Sequence, residues 1–237
     1  MTKLFPALAV VFAAAVFAQA ADTTIHTFKK IQLTDQFWCE GAYIGDFNHD
    51  GKTDVAGGPF WWEGPDFKVR HEYRPATKTS KIKKADGTEV TIQGYKGALG
   101  NENDYSDNFL TYVYDLNRDG WDDILVYGLP GEKAYWHENP KGRKTDDGKE
   151  HWPRHKMIDV LDNESPMFSD INGDGQPEIV CNTGGFLGYA TPEWSNPTQP
   201  FQWHSISPEG TWHKYTHGIG LGDINGDGRP DLIEANG

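Results

Sequence analysis

Four times in 237 residues the chain repeats Asp-x-Asn-x-Asp-Gly-x-x-(Asp/Glu), and nothing else in it limits the fold so tightly. The first copy runs Asp46, Asn48, Asp50, Gly51, Lys52, Asp54, and the second Asp115, Asn117, Asp119, Gly120, Trp121, Asp123. The third runs Asp170, Asn172, Asp174, Gly175, Gln176, Glu178, and the fourth Asp223, Asn225, Asp227, Gly228, Arg229, Asp231. Oxygen side chains at positions 1, 3, 5 and 9, a backbone carbonyl at 7 and a glycine at 6 suit a hard cation such as Ca²⁺ in one tight loop. A single copy could be a solvated turn, since Asp and Asn readily bond their own backbone. Four copies at the same offsets, each crowding three carboxylates, call for a cation between them. A helical EF-hand would need Glu at position 12, where Gly57, Val126, Cys181 and Glu234 stand. Only the fourth copy has the acid, within the apolar run Leu232–Ala235.

The segments flanking the loops read as strands. Before them come 41–45, 111–114, 166–169 and 218–222, short runs of small and aromatic residues. After them come the apolar runs 55–56, 124–127, 179–181 and 232–233, bounded by Gly, Asn and Asp. Aromatic strands follow at 60–63 and 134–137, and polar-aromatic ones at 151–158 and 201–206. Outside the first twenty residues no stretch has a 3.6-residue apolar period. The loops start 69, 55 and 53 residues apart (46 to 115, 115 to 170, 170 to 223). About four strands per unit at such spacing predict an all-β chain of β-propeller blades.

On these loops and strands the chain resembles the FG-GAP/VCBS class of calcium-binding propeller repeats, of which integrin-type propellers are one example. The resemblance runs from about Gly41 to Gly237. It implies four-stranded blades, each with a structural Ca²⁺ in the loop joining its innermost strand to the second. Residues 25–32 read as the outer strand of a further blade. The count is then about three and a half blades, either a piece of a longer propeller or a four-bladed ring with an imperfect last blade.

Lys3, the apolar run 4–17 and the small-x-small site Ala18-Gln19-Ala20 read as a cleavable secretory signal over 1–20. The repeat domain then covers 21–237, exported to the periplasm or beyond the cell. Fourteen apolar residues fall short of the ~20 that span a bilayer, so no membrane span is expected. Cys39 and Cys181 lie in different units and read as free buried thiols. The net charge of −13 argues against nucleic acid, which is held by clustered Lys and Arg. A basic segment, 78–84, reads with Asp86-Gly87 as a hairpin.

About six residues before each loop, at the other end of the preceding strand, stand Glu40, Asp107 with Asn108, Glu164 and His217. These are candidate catalytic residues, joined by Tyr215 in the segment 212–217 and by the polar segment 101–107. Alternatively they cap strand ends. Trp38, Trp61, Trp62, Trp194 and Trp212 are candidate stacking surfaces for sugar rings, or blade-packing residues. Two functions follow. One is a secreted module binding carbohydrate or an extracellular protein. The other is the propeller part of a carbohydrate-active enzyme, of polysaccharide lyase or keto-sugar dehydratase type, a reading drawn from the resemblance and from the segments 61–63 and 135–138.

Overall fold

Sixteen strands and no helix make up the described residues of a computed structural model, which are 27–97, 104–143, 151–210 and 212–235. The chain divides into two units, Met1–Gln32 and Leu33–Gly237, and all the strands lie in the second. Three antiparallel sheets each have four strands in chain order. The first is β1 (Ala42–Gly45), β2 (Asp54–Gly57), β3 (Phe60–Trp62) and β4 (Arg70–Glu72). Between the first and second sheets comes a separate hairpin, β5 (Thr79–Lys83) and β6 (Glu89–Gln93), turning at Asp86-Gly87 as the sequence predicts.

The second sheet is β7 (Leu110–Tyr114), β8 (Asp123–Tyr127), β9 (Glu132–His137) and β10 (Arg154–Leu161). The third is β11 (Met167–Ser169), β12 (Glu178–Thr183), β13 (Phe186–Thr191) and β14 (Gln202–Ser205). A last pair is β15 (Ile219–Gly222) with β16 (Asp231–Glu234).

Strand β8 shows why the sheets stack. All five of its residues are buried, so it is covered on both faces, and successive side chains point opposite ways. Ile124 and Val126 join Phe47, Ala56, Trp61, Tyr73 and Trp152 in a cluster shared with the first sheet. Leu125 and Tyr127 join Trp136, Met157, Ile179 and Cys181 in a cluster shared with the third. Each such side chain contributes about 1.5–3 kcal/mol by leaving water. Among the described residues β15–β16 is less covered: Ile219 is buried, but Ile233 is exposed, as is Ile224 in the loop between the two strands.

The first strands of successive sheets are tied to one another. Glu40 N–H donates to the Asn108 carbonyl (3.2 Å), and Thr111 Oγ1 donates to the Gly41 carbonyl (3.2 Å). A Cβ at Gly41 would stand 2.6 Å from the Leu110 Cα, so only glycine permits this approach. Tyr112 Oη donates to the Pro166 carbonyl (2.8 Å), and Ile219 N–H to Ser165 Oγ (3.2 Å). Stacked four-stranded sheets joined along their first strands are a propeller-like arrangement, and no closed barrel forms among the described residues.

One expected strand is absent. Residues 27–32 are irregular, and 25–26 lie outside the described residues. Phe28 and Ile31 are three apart and would fall on opposite faces of a strand, and Phe28 is 93% exposed. The predicted strand at 151–158 begins instead at Arg154, because Pro153 has no N–H for the ladder. The predicted signal at 1–20 also lies outside the described residues. Both cysteines are free thiols. Burial, then the Glu40 charge, pushes the Cys39 thiol up to about 11, and burial pushes Cys181 higher still.

Candidate functional site

All four acidic loops join the first strand of a sheet to the second, and all four share one hydrogen-bond frame. The carboxylate at position 1 sits inside the turn. Asp46 accepts from Asp50 and Gly51 N–H (3.0 and 2.9 Å), and Asp115 from Asp119 and Gly120 (2.9 and 2.7 Å). Asp170 takes Gly173 and Gly175 (2.7 and 2.8 Å), and Asp223 takes Gly226, Asp227 and Gly228 (2.7, 3.0 and 2.9 Å). Position 3 accepts the N–H of position 5 in every copy. Position 5 accepts that of position 7. The ninth-position acid reaches back to the N–H of position 2: Asp54 to Phe47, Asp123 to Leu116, Glu178 to Ile171, Asp231 to Ile224.

This wrapping demands left-handed backbone twice per loop. Position 6 is glycine at φ between 76° and 86° throughout. Position 4 is also left-handed: His49 (60°), Arg118 (57°), Gly173 (78°) and Gly226 (77°). Glycine at position 4 in two copies signals that requirement in the sequence. The two non-glycine residues use the exposed position to reach the next unit. His49 stacks on Trp121 (3.9 Å, 5°), and the Arg118 guanidinium lies over Trp194 (4.6 Å).

Two further residues, Asp122 and Asn139, knit the first two loops together, and the motif alone does not point to them. Asp122 Oδ2 accepts from Asp46 N–H (2.8 Å). Asn139 Nδ2 donates to the carbonyls of Phe47 (3.0 Å) and Asp122 (3.1 Å), while its N–H donates to Asp123 Oδ1 (2.8 Å). Gly64 N–H serves Asp54 Oδ1 in the same way (2.8 Å). The signal for this pair is Glu63-Gly64-Pro65 recurring as Glu138-Asn139-Pro140.

The donor set fits a hard divalent cation. An oxygen that accepts one N–H keeps a second lone pair. Asp54, Asp123 and Glu178 are fully buried carboxylates. Burial, then the charges of Asp119 and Asp115, pushes Asp123 up to about 8. Burial with Asp174 and Asp170 pushes Glu178 up to about 7, and burial with Asp50 and Asp46 raises Asp54. Among the described residues, lysines form ion pairs with the position-5 acids of the first two loops, Lys52 on Asp50 (2.7 Å) and Lys141 on Asp119 (2.8 Å). Among the described residues no three His, Cys, Asp or Glu side chains form a ready cage. The oxygens available in each loop also include an Asn amide and the carbonyls of Lys52, Trp121, Gln176 or Arg229.

At the opposite strand ends Glu40 and the 106–108 stretch come together, and Glu164 pairs separately with His217. Glu40 accepts from Ser106 N–H (3.1 Å) and from its hydroxyl. Asp107 takes both terminal nitrogens of Arg74 (2.8 Å each). Burial alone would raise the Asp107 carboxyl, but the Arg74 hydrogen bonds and charge hold it below the usual range. Asn108 is buried against Thr111 Oγ1 (2.7 Å), a strand-end cap. Glu164 and His217 meet (Oε2 to Nδ1, 3.1 Å), while Tyr215 is exposed with the Lys214 ammonium over its ring (5.3 Å). Of the polar segment 101–107, residues 101–103 lie outside the described residues. The aromatic-acid strands have a packing role: Glu63 holds His71 (2.7 Å) and Glu138 holds His155 (3.0 Å), each imidazole lying against Trp61 or Trp136. Trp38, Trp61 and Trp62 are buried in the clusters of the first sheet, and Trp194 packs against the cluster shared by the second and third. Among the described residues the buried Trp212 Nε1 has no hydrogen-bond partner.

The family model described as FG-GAP-like repeat matches this chain twice, over residues 115–181 and 170–233. Together the matches run from 115 to 233, just over half of the 237 residues. No curated protein and no solved structure matches.

Proposed function

The chain belongs to the FG-GAP-like repeat family, and on that premise we propose that it is an exported, calcium-clamped module that binds a carbohydrate or an extracellular protein. One observation carries the calcium reading: the same frame recurs in four loops, and three of its ninth-position acids are buried against neighbouring carboxylates, none of them with a salt-bridge partner among the described residues. A bound Ca²⁺ supplies that charge. Asp46, Asn48, Asp50 and Asp54, and their equivalents in the other copies, would hold it with the position-7 carbonyl. The chain's part is to keep these oxygens pointed inward and to join each first strand to the second. The leader-like N-terminus supports export, and millimolar calcium outside the cell would fill loops of ~0.1–1 mM affinity.

The test is thermal unfolding of the purified chain in about 5 mM calcium and in chelator, beside Asp170→Ala. At about 5 mM calcium, a site of ~0.1–1 mM affinity adds about 1–2.3 kcal/mol, about 2–9 °C for a chain of this size. The parent is expected to melt higher in calcium, and Asp170→Ala to lose roughly one site's share of that rise. Identical melts in calcium and chelator would remove the clamp reading.

The contact between Glu164 and His217 favours a second reading, acid–base chemistry on a sugar carbon. Ultraviolet absorbance by an unsaturated sugar product, lost in His217→Ala, would establish it. Absence of such a product across uronic polysaccharides and keto-sugars would remove it.

A further inference from the structure

Along the face of β8 and β9 that carries Val126 and Tyr135, from His137, paired with Ile124, to Gly128 just beyond β8, lies a cleft of about 340 Å³. Its walls come from Arg74, Asp107 and the residues Lys133, Tyr135, His137 and Arg154 of β9 and β10. Cations gather here in a chain whose formal charge is −13. Arg154 lies over the Tyr135 ring (4.5 Å), and Lys133 is held only loosely, 4.0 Å from Asp159. Glu132 and Asp107 are the acids of the lining.

Among the described residues, two buried nitrogens of the lining side chains have no hydrogen-bond partner. Arg74 uses both terminal nitrogens on Asp107 and lies beside Tyr73, and among the described residues its Nε has no partner within hydrogen-bond geometry. His137 hydrogen-bonds the Trp152 backbone, and its Nδ1 is left bare. Burial, then the charges of Arg74 and Arg154, holds the imidazole neutral, well below its usual range. A neutral ring that donates through Nε2 presents a lone pair at Nδ1. The cleft thus offers a buried donor, a buried acceptor, the free lone pairs of Asp107, two cations and an aromatic face.

A bare inorganic anion would satisfy the cations but meet the Nδ1 lone pair and the Asp107 carboxylate with repulsion. A neutral sugar would satisfy the hydroxyl-binding groups and leave Arg154 and Lys133 unused. A ligand with hydroxyls and a carboxylate on one ring uses all of them. We infer that this cleft holds a uronic acid unit of an acidic saccharide. Arg154 and Lys133 face its carboxylate, Arg74 Nε donates to a ring substituent, His137 Nδ1 and Asp107 accept from hydroxyls, and Tyr135 flanks the ring. The volume lies at the small end of ligand clefts, room for about one or two pyranose rings. The inference rests on the carbohydrate-binding reading and names its ligand class.

The experiment is calorimetric titration of the purified chain at constant calcium with trigalacturonate and triglucuronate, each beside its methyl ester, and with neutral galactotriose. Hydrogen bonds to a charged group imply that at least one acid binds about tenfold tighter than its ester. Arg154→Gln and Lys133→Gln should each weaken acid binding severalfold, Lys133→Gln with unchanged melting and Arg154→Gln with no more than the small loss of one cation–π contact. Lys68→Gln, an equal charge change on the first sheet's exposed loop, should leave it as it was. Equal binding of acid and ester, or full binding by Arg154→Gln, overturns the inference. Binding of galactotriose alone overturns it while the carbohydrate reading stands. Binding of none of the five sugars overturns both, and the calcium melt judges the clamp separately.

Discussion

At the scale of single residues, the fourth position of each acidic loop shows two forces in competition. His49 and Arg118 occupy left-handed backbone that Gly173 and Gly226 adopt freely. A side chain there costs about 1 kcal/mol. What offsets the cost is reach: only a side chain can lie on Trp121 or Trp194. The cation–π contact of Arg118 contributes about 0.5–1 kcal/mol. Arg118→Ala keeps the strain and loses the contact, so it should be less stable than the parent by that amount. Arg118→Gly loses the contact but relieves the strain, and it should unfold at higher urea than Arg118→Ala. Matching midpoints for the two variants would sink the strain argument.

At the scale of elements, the first two sheets are joined by packing and by a polar knot. Asn139 supplies that knot, since its amide satisfies the carbonyls of Phe47 and Asp122, the first of these bonds being buried. Asn139→Ala leaves a buried acceptor without a donor, at a cost of about 1–3 kcal/mol. The loss should be local. Amide hydrogen exchange is expected to speed up in residues 46–54 and 115–123 and to stay unchanged in 170–178. Uniform acceleration across all the loops would mean that Asn139 supports the fold in general rather than the junction.

At the scale of the whole molecule, stability should depend on pH through groups pulling in opposite directions. His137 is depressed in the folded chain. As pH falls below the unfolded value of about 6.5, the unfolded chain takes up a proton that the folded one refuses. Its contribution is therefore present above about pH 6.5 and lost toward acid, by at most about 1.4 kcal/mol per pH unit. The buried acids Asp123 and Glu178 have the opposite sign, because their folded values are raised. They are common to parent and His137→Gln and cancel in the comparison. Between about pH 7 and 5 the urea midpoint should fall more steeply in the parent than in His137→Gln, and parallel profiles would refute the assignment.

Legibility followed the range of the interactions. The loops and strands such as β8 were readable because glycine, acid and apolar spacing are local signals. The spacing also placed Glu164 and His217 at one strand end, but not the partners that separate Glu40 and Asp107 from them. Ser106 and Arg74 reach those acids across 66 and 33 residues. Residues 25–32 misled because their aromatic-polar composition resembles an outer strand, while Phe28 and Ile31 lack its period of two. The uronate cleft was invisible for the same reason of range, since it is assembled from residues 74 to 154.

The forward lean of one loop on the next also sets an order in time. Asp46 is bridged to Asp122, 76 residues later in the chain. His49 needs Trp121 and Arg118 needs Trp194. During synthesis each of the first two loops therefore leaves the ribosome before the surface that finishes it. The first sheet can pair its strands at once, but its loop must wait until most of the second sheet's loop has emerged. Completion passes along the chain one sheet behind the growing end.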